Sequence, residues 1–424
     1  MSAWTTRLDE QTLAERSALL LREGQRQDER AILVHDLELM GERLALLRSA
    51  FPANALHGVA VKANPLLKVL EQIVAAGVGL ECASIEEVEL SLAAGCAPER
   101  IIFDSPAKTR AELRFALERG IHLNLDNFDE LERVRSLEPA PGGSHIGVRI
   151  NPQVGSGSIG MTSVAGRSSK FGVPLEARRQ QLLEAFARHE WLDGLHVHVG
   201  SQGCELQQLV EAVRRCEALR AEANATRARP ITQVDIGGGL PTAYREDDHP
   251  PELRDYVGAL ESEAPSLFAP DTRILTEFGR ALQANCGWAI SRVEYAKHEA
   301  GGHMAVLHLG ADAFMRRVYK PEDWHHDFLV LDPQGRLKRE APRRPVTLVG
   351  PLCFGGDILA RELELPEIHE GDLVVIRDCG AYTLSMWSRH CSRGLPKVVG
   401  WRADQRCVLK RRETPRDVVE FWSA

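Results

Sequence analysis

Between about residue 30 and residue 276 the chain repeats one pattern eight times: a short apolar run, a polar turn, then a helical segment. The runs lie near 57–61, 78–82, 101–103, 121–125, 145–150, 194–199, 232–236 and 273–276. Short apolar runs bounded by turn residues read as buried strands. Strands that alternate with helices pair in parallel, because each helix carries the chain back to the edge it left. Eight such units over roughly 250 residues suit a closed (β/α)8 barrel. An open doubly wound sheet is the alternative. Two of the helices open on capping pairs, Ser84 with Glu87 and Thr109 with Glu112, which satisfy backbone N–H groups left free in a first turn.

After about residue 290 the rhythm changes. Arg292–Tyr295, Met304–His308, Val346–Val349 and Leu373–Ile376 read as strands with few helices between them, which predicts a separate, mostly β domain. The expected division is an N-terminal helical segment over 1–29, a barrel over 30–290 and a β domain over 291–424. The helix, about Glu10 to Gly24, is expected to pack on the β domain. Asp323-Trp324-His325-His326-Asp327 has no clear period and reads as an exposed loop, its histidines solvated rather than metal-bound. The loop from Gly155 to Ser169, with four glycines, describes a lid or a passive connection equally well.

Composition narrows the function. Net charge is −8 and no basic cluster is long enough to follow a phosphate backbone, so nucleic acid and anionic membrane are poor partners. The first 21 residues carry Arg7, Asp9, Glu10, Glu15 and Arg16 and lack the apolar core of a signal peptide, and no membrane span follows. Nine irregularly spaced cysteines suggest reduced thiols and a cytoplasmic protein.

A parallel barrel gathers its chemistry where the strands end. Those ends carry Lys62, Glu81 to Ser84, Asp104, Asn124 and Asp126, Arg149 to Asn151, then His196, His198 and Ser201, then Gly237 to Gly239, and finally Glu277 to Arg280. Lys62 closes an apolar strand, where a lysine must pair its charge or lose its proton. A deprotonated lysine is a nucleophile toward carbonyls. Gly237-Gly238-Gly239, with Gly279-Arg280, lets backbone N–H groups and a cation approach an anion, and phosphate is favoured over a plain tight turn. His196 and His198 lie on one strand face. Zinc would require further ligands and leave the glycine loops unexplained, so no metal is assigned.

Assembled, these residues resemble the fold-type III pyridoxal-phosphate decarboxylases, and within them the diaminopimelate decarboxylase-like group, whose barrel is of the alanine racemase type. The resemblance runs from about residue 30 to about 395. It rests on Val61-Lys62-Ala63-Asn64, Glu81-Cys82-Ala83-Ser84, Ser169-Lys170-Phe171-Gly172, His196 to Gln202, Asp235 to Gly239, Glu277-Phe278-Gly279-Arg280, Gly350-Pro351-Leu352-Cys353 and Asp378 to Tyr382. It implies that Lys62 is the internal aldimine lysine and that His198 stacks on the pyridine ring. Glu277 then pairs with the pyridine nitrogen, and Ser201, Gly238, Gly239, Gly279, Arg280 and Tyr382 bind the phosphate. Cys353, from the partner subunit of a homodimer with shared sites, protonates the Cα carbanion after carbon dioxide leaves.

Two departures bear on the substrate. The residue after the family's cysteine is typically a glutamate that binds a distal amino group; here it is Phe354. Loss of that partner should cost a distal ammonium roughly 1–3 kcal/mol. Beyond Tyr382 the family's asparagine- and tyrosine-rich run reads Trp387-Ser388-Arg389-His390-Cys391-Ser392-Arg393. Arg316, Arg317 and Tyr319 resemble residues that hold a distal carboxylate, one residue out of register. The expectation is decarboxylation of an α-amino acid with a polar or acidic distal end, Arg280, Arg316, Tyr319 and Phe354 contacting it. The alternatives are meso-diaminopimelate decarboxylation and amino-acid racemisation; the presence of Cys353 argues against the second.

Overall fold

The computed structural model describes residues 2–24, 29–140, 142–299, 302–403 and 405–423. All eight predicted runs are strands. Leu56–Ala60 pairs in parallel with Gly79–Cys82, followed in order by Ile101–Asp104, His122–Leu125, Ile146–Asn151, Gly194–Val197, Gln233–Asp235 and Arg273–Thr276. The last strand returns to Leu56–Ala60 and closes the barrel, which excludes the open sheet. Nearly every residue of these strands is buried, as expected when helices cover one face and the barrel interior the other. The capping signals act at the predicted places. Thr109 and Glu112 form a complete capping box on Arg110–Arg119. Ser84 accepts the Glu87 N–H at 3.2 Å, while the Glu87 carboxylate takes the Ala83 N–H, one residue further back than a standard box.

The chain separates into two compact units. The barrel unit holds residues up to Thr5, Gly41–Thr242 and His249–Leu282; the other holds Thr6–Met40, Ala243–Asp248 and the chain from Gln283 onward. This differs from the division at residues 30 and 290 read from the sequence. The apolar run Ala31–Asp36 joins the second unit because it pairs with Gly287–Glu299 on one side and Lys397–Arg402 on the other. Residues 25–28 of the expected N-terminal segment lie outside the described residues.

The second unit is built on a nine-stranded mixed sheet, with Ala31–Asp36 among its central strands. One face of helix Glu10–Gly24 supplies Leu13, Ala14, Leu20 and Leu21 to a cluster with Ile32, Val34, Trp288, Ile290, Leu373 and Val375. Ser17 on the same helix accepts the Trp288 indole N–H at 3.1 Å. The stretch Asp323–Asp327 is not the exposed loop its lack of period suggested. Trp324 and His326 are buried against Tyr244, and the His326 Nδ1–H donates to the Arg377 carbonyl at 2.7 Å. His325 is tied to Asp327 at 2.7 Å, so the two histidines serve separate structural contacts.

Candidate active site

In the barrel unit the strand ends bring the predicted residues together. Lys62 lies in the single 3-10 turn Val61–Ala63 that follows the first barrel strand. Its Nζ is 2.7 and 2.5 Å from the two oxygens of Glu81, at the end of the neighbouring strand. The lysine side chain is 40% exposed and the carboxylate fully buried, so a partly open side chain is held at its amine by a buried partner. Burial pushes the Glu81 carboxyl up to about 8, against the opposing pull of Lys62 and with Glu277 and Asp104 adding to the rise. Lys108, in the loop between the strand Ile101–Asp104 and the helix Arg110–Arg119, gives the contrast. It is buried, 3.0 Å from Glu130, and donates to the Ser105 and Asn124 carbonyls, as a structural lysine should.

His196 and His198 follow each other on the sixth strand and its end, yet their environments are opposite. His196 is fully buried, with Nε2 3.3 Å from Glu277 and Nδ1 3.6 Å from Asp104. Burial alone would depress it, but Glu277, Asp104 and Asp235 together raise it to about 9. His198 is lowered to about 3, by burial first and then by Arg149. Its Nδ1 accepts the Gly238 N–H at 3.2 Å, which fits a neutral ring protonated on Nε2.

Glu277 ends the environment that His196 begins. Burial would raise its pKa, but the His196 charge and hydrogen bond outweigh that and hold it ionised, well below the usual range. Its buried neighbour Asp235 goes the other way, raised by burial and by Glu277, and takes hydrogen bonds from Asn124 at 3.0 Å and Gly237 at 2.9 Å. Behind them Arg149 closes on Asp104 at 2.5 Å. Asp104, His196 and Glu277 offer three ligand atoms within 4.8 Å of one another. We read this group as an imidazolium between two carboxylates, with Arg149 already balancing Asp104, rather than as a metal site.

The glycine loop is packed too closely for side chains. A Cβ on Gly238 would lie 2.5 Å from the Glu277 carbonyl, and one on Gly239, at φ +113°, 2.6 Å from the Gly200 carbonyl. Arg280 begins a short helix after the eighth strand and donates through Nη2 to the Ser201 hydroxyl at 3.0 Å. Cation, hydroxyl and close-packed backbone N–H groups are a donor set for a phosphate. The Glu277 Oε1 atom is buried and takes no N–H or hydroxyl hydrogen bond among the described residues, the raised carboxyl of Asp235 being its close neighbour. A buried anionic carboxylate beside such a cradle suits a cofactor with a phosphate at one end and a protonated ring nitrogen at the other.

The loop Gly155–Ser169 is pinned along its neighbour rather than standing free. Ser158 and Val164 donate to the Gly203 and Val199 carbonyls at 2.8 Å, and Thr162 donates to the Gln202 carbonyl at 2.9 Å.

The remaining predicted residues belong to the second unit and form a cluster there. Arg316 lies over the Trp324 ring at 4.0 Å and the Tyr382 ring at 5.1 Å, and donates to the Tyr382 carbonyl at 3.2 Å. Tyr319 is largely exposed and stacks on Phe354, ring centroids 6.3 Å apart and planes 8° from parallel. Cys353 is exposed, and its N–H points at the sulfur of Cys391 at 3.4 Å. Sequence reasoning passed over Cys391 except as part of an unusual run, because a second cysteine 38 residues away gives no local signal.

A closed parallel barrel with such a lysine, buried carboxylate and phosphate cradle is the architecture of a barrel-type pyridoxal enzyme. Residues 37–284 match the model of the pyridoxal-dependent decarboxylase family, over its pyridoxal-binding domain, and the chain belongs to that family. It resembles the diaminopimelate decarboxylase of Pseudomonas aeruginosa at 34% identity over 378 residues, covering 86% of this chain and 87% of that one. The diaminopimelate decarboxylase of Vibrio cholerae is 31% identical over 371 residues, 86% of this chain and 84% of its own. Among solved structures, Helicobacter pylori diaminopimelate decarboxylase complexed with L-lysine aligns with a TM-score of 0.83 at 26% identity, covering 95% of this chain and 98% of that one. The chain is thus a pyridoxal-phosphate-dependent amino-acid decarboxylase. Among the described residues no helix is long and apolar enough to cross a membrane.

Proposed function

We propose that the enzyme decarboxylates an α-amino acid with a polar or acidic distal end. Lys62 anchors the cofactor covalently, and Cys353 of the partner subunit in a homodimer returns a proton to Cα. The observation that carries this reading is the buried, ionised carboxylate of Glu277, held below the usual range by His196 beside the Gly238 and Arg280 donors, which suits a cationic N–H. Pyridoxal phosphate, when bound, supplies an electron-poor ring that takes up the electron pair left as the Cα–carboxylate bond breaks.

The chain's own residues set up that chemistry. Glu277 would keep a proton on the ring nitrogen, held ionised by His196. Glu81, raised by burial, would orient the Lys62 amine and be a better acceptor of its proton than an ordinary carboxylate. His198, neutral, would pack against the ring without adding a competing charge. Ser201, Gly238, Gly239, Gly279, Arg280 and Tyr382 would hold the phosphate. Arg280, Arg316, Tyr319 and Phe354 would meet the substrate. With nine free cysteines, we place the protein in the cytoplasm.

The relatives favour one alternative, meso-diaminopimelate as substrate. Phe354 opposes it, because an apolar ring stacked on Tyr319 offers no ion-pair partner for a distal ammonium. A screen of carbon dioxide release over D- and L-amino acids and meso-diaminopimelate decides between them. Purified protein should be yellow and bleached by borohydride, and Lys62→Ala should lose both colour and turnover. Equal efficiency on meso-diaminopimelate would remove the Phe354 argument.

A further inference from the structure

We propose that Cys353 and Cys391 form a covalent modification site, a dithiol that a peroxide converts to a disulfide. This goes beyond the decarboxylase reading, and only its effect on activity rests on that reading. Both thiols are exposed, and the Cys391 sulfur is 3.4 Å from the Cys353 backbone N–H. The Cys391 sulfur thus lies against the Cys353 backbone, and rotation of the Cys353 side chain is the movement that would bring the two sulfurs together.

The contact is held by groups other than the thiols. On one side the Asp357 carboxylate fixes the Cys353 loop, accepting the Leu352 N–H at 2.7 Å and the Ala311 N–H at 2.6 Å. On the other, Arg389 makes a double hydrogen bond to Glu413 at 2.8 and 3.0 Å, and Arg393 reaches Asp312 at 3.3 Å. These two anchors bracket Cys391, whose backbone is left-handed at φ +57°, as is that of Ser392 at φ +52°. Non-glycine residues adopt that conformation where the surroundings demand it. The His390 ring then meets Phe354 edge-on at 5.7 Å and docks one loop against the other. The two loops that carry the thiols are therefore held together, and an intramolecular step between them would outrun encounter with an external thiol.

The chemistry balances with a peroxide as oxidant. The Cys353 thiolate attacks the O–O bond; a sulfur–oxygen bond forms, the O–O bond breaks, and hydroxide leaves to take up a proton. The Cys391 sulfur then attacks the oxidised Cys353 sulfur; the S–S bond forms, the S–O bond breaks, and water leaves with the Cys391 proton. Two thiols lose two electrons, which reduce the peroxide to water. A dithiol reductant reverses the change. With no S–H on Cys353, the proposed proton donor is lost, and turnover should fall by about a hundredfold.

The test uses reduced, cofactor-loaded enzyme treated with a few equivalents of hydrogen peroxide, quenched with an alkylating agent and mapped without reduction. The expected result is a peptide cross-link between residues 353 and 391, loss of turnover, and recovery of both with dithiothreitol. Cys391→Ser should keep the untreated rate but go to irreversibly oxidised Cys353 that dithiothreitol does not rescue. Absence of the cross-link, with Cys353 oxidised equally fast in both proteins, would overturn the proposal and leave the role of Cys353 intact. A cross-link with full activity retained would uphold the site and overturn the proton-donor assignment instead.

Discussion

Two histidines one residue apart, His196 and His198, differ in charge because of what each ring nitrogen faces. His196 is enclosed by carboxylates on both sides, while His198 accepts a backbone N–H and has Arg149 as its nearest charge. The residue between them cannot signal this, since it is Val197 in either case. The raised pKa of His196 has a stability consequence. A histidine whose folded pKa lies above its unfolded value of about 6.5 stabilises fully below pH 6.5, and loses that contribution as pH rises through about 9. Denaturant unfolding of the protein between pH 6 and 10 should therefore show a decline across that window, of order 1–3 kcal/mol. His196→Gln should flatten it and also allow Glu277 to take up a proton. The second effect would be read as a shift in the pH dependence of cofactor affinity, which a purely structural histidine would not produce. An unchanged pH profile in the variant would mean that His196 is neutral in the fold.

At the scale of elements, the barrel was legible because both faces of its strands are buried, so several read as short apolar runs such as Ile101-Ile102-Phe103. The second unit was legible only in part. Ile358–Pro366 carries Arg361, Glu362 and Glu364 on its exposed positions and is irregular where Glu362 sits at φ +46°, so neither run nor alternation stands out. Ala31–Asp36 was not among the runs read as strands, because its partners lie more than 250 residues away and no local pattern assigns it to the β sheet. Trp324 and His326 are buried by contacts with Tyr244, again invisible locally. The glycine loop, in contrast, was readable because its need for glycine is intrinsic to the backbone. Gly238→Ala drives a methyl into the Glu277 carbonyl, which cannot move without shifting the eighth strand end. It should cost about 1–3 kcal/mol of stability and weaken cofactor binding. Gly258→Ala, exposed on helix Leu253–Glu263 with open space around it, should instead stabilise by about 0.5–1 kcal/mol and leave affinity unchanged. Thermal unfolding and cofactor titration of the two variants separate a glycine required by the site from one that is not.

For the whole molecule, the proposal that Cys353 serves the partner's site rather than its own makes a prediction that no single-chain property can. Lys62, the proposed covalent anchor, belongs to the barrel unit and Cys353 to the other. If sites are shared, each homodimer of Lys62→Ala or of Cys353→Ala lacks one essential group at both sites, and each should be nearly inactive. In a mixed dimer, one site pairs the mutant lysine position with the mutant cysteine and is dead, but the other pairs intact Lys62 with intact Cys353. Random exchange of equal amounts makes half the dimers mixed, each with one working site of two, so activity should recover to about a quarter of the unmutated level. The recovery should require subunit exchange, appearing after dilution and reconcentration or co-expression and not on brief mixing. Size-exclusion chromatography with light scattering, run on the same samples, establishes whether a dimer is present. A dimer that exchanges subunits yet recovers no activity would place Lys62 and Cys353 of the same chain in one site. A monomer with full turnover would remove the partner from the mechanism altogether.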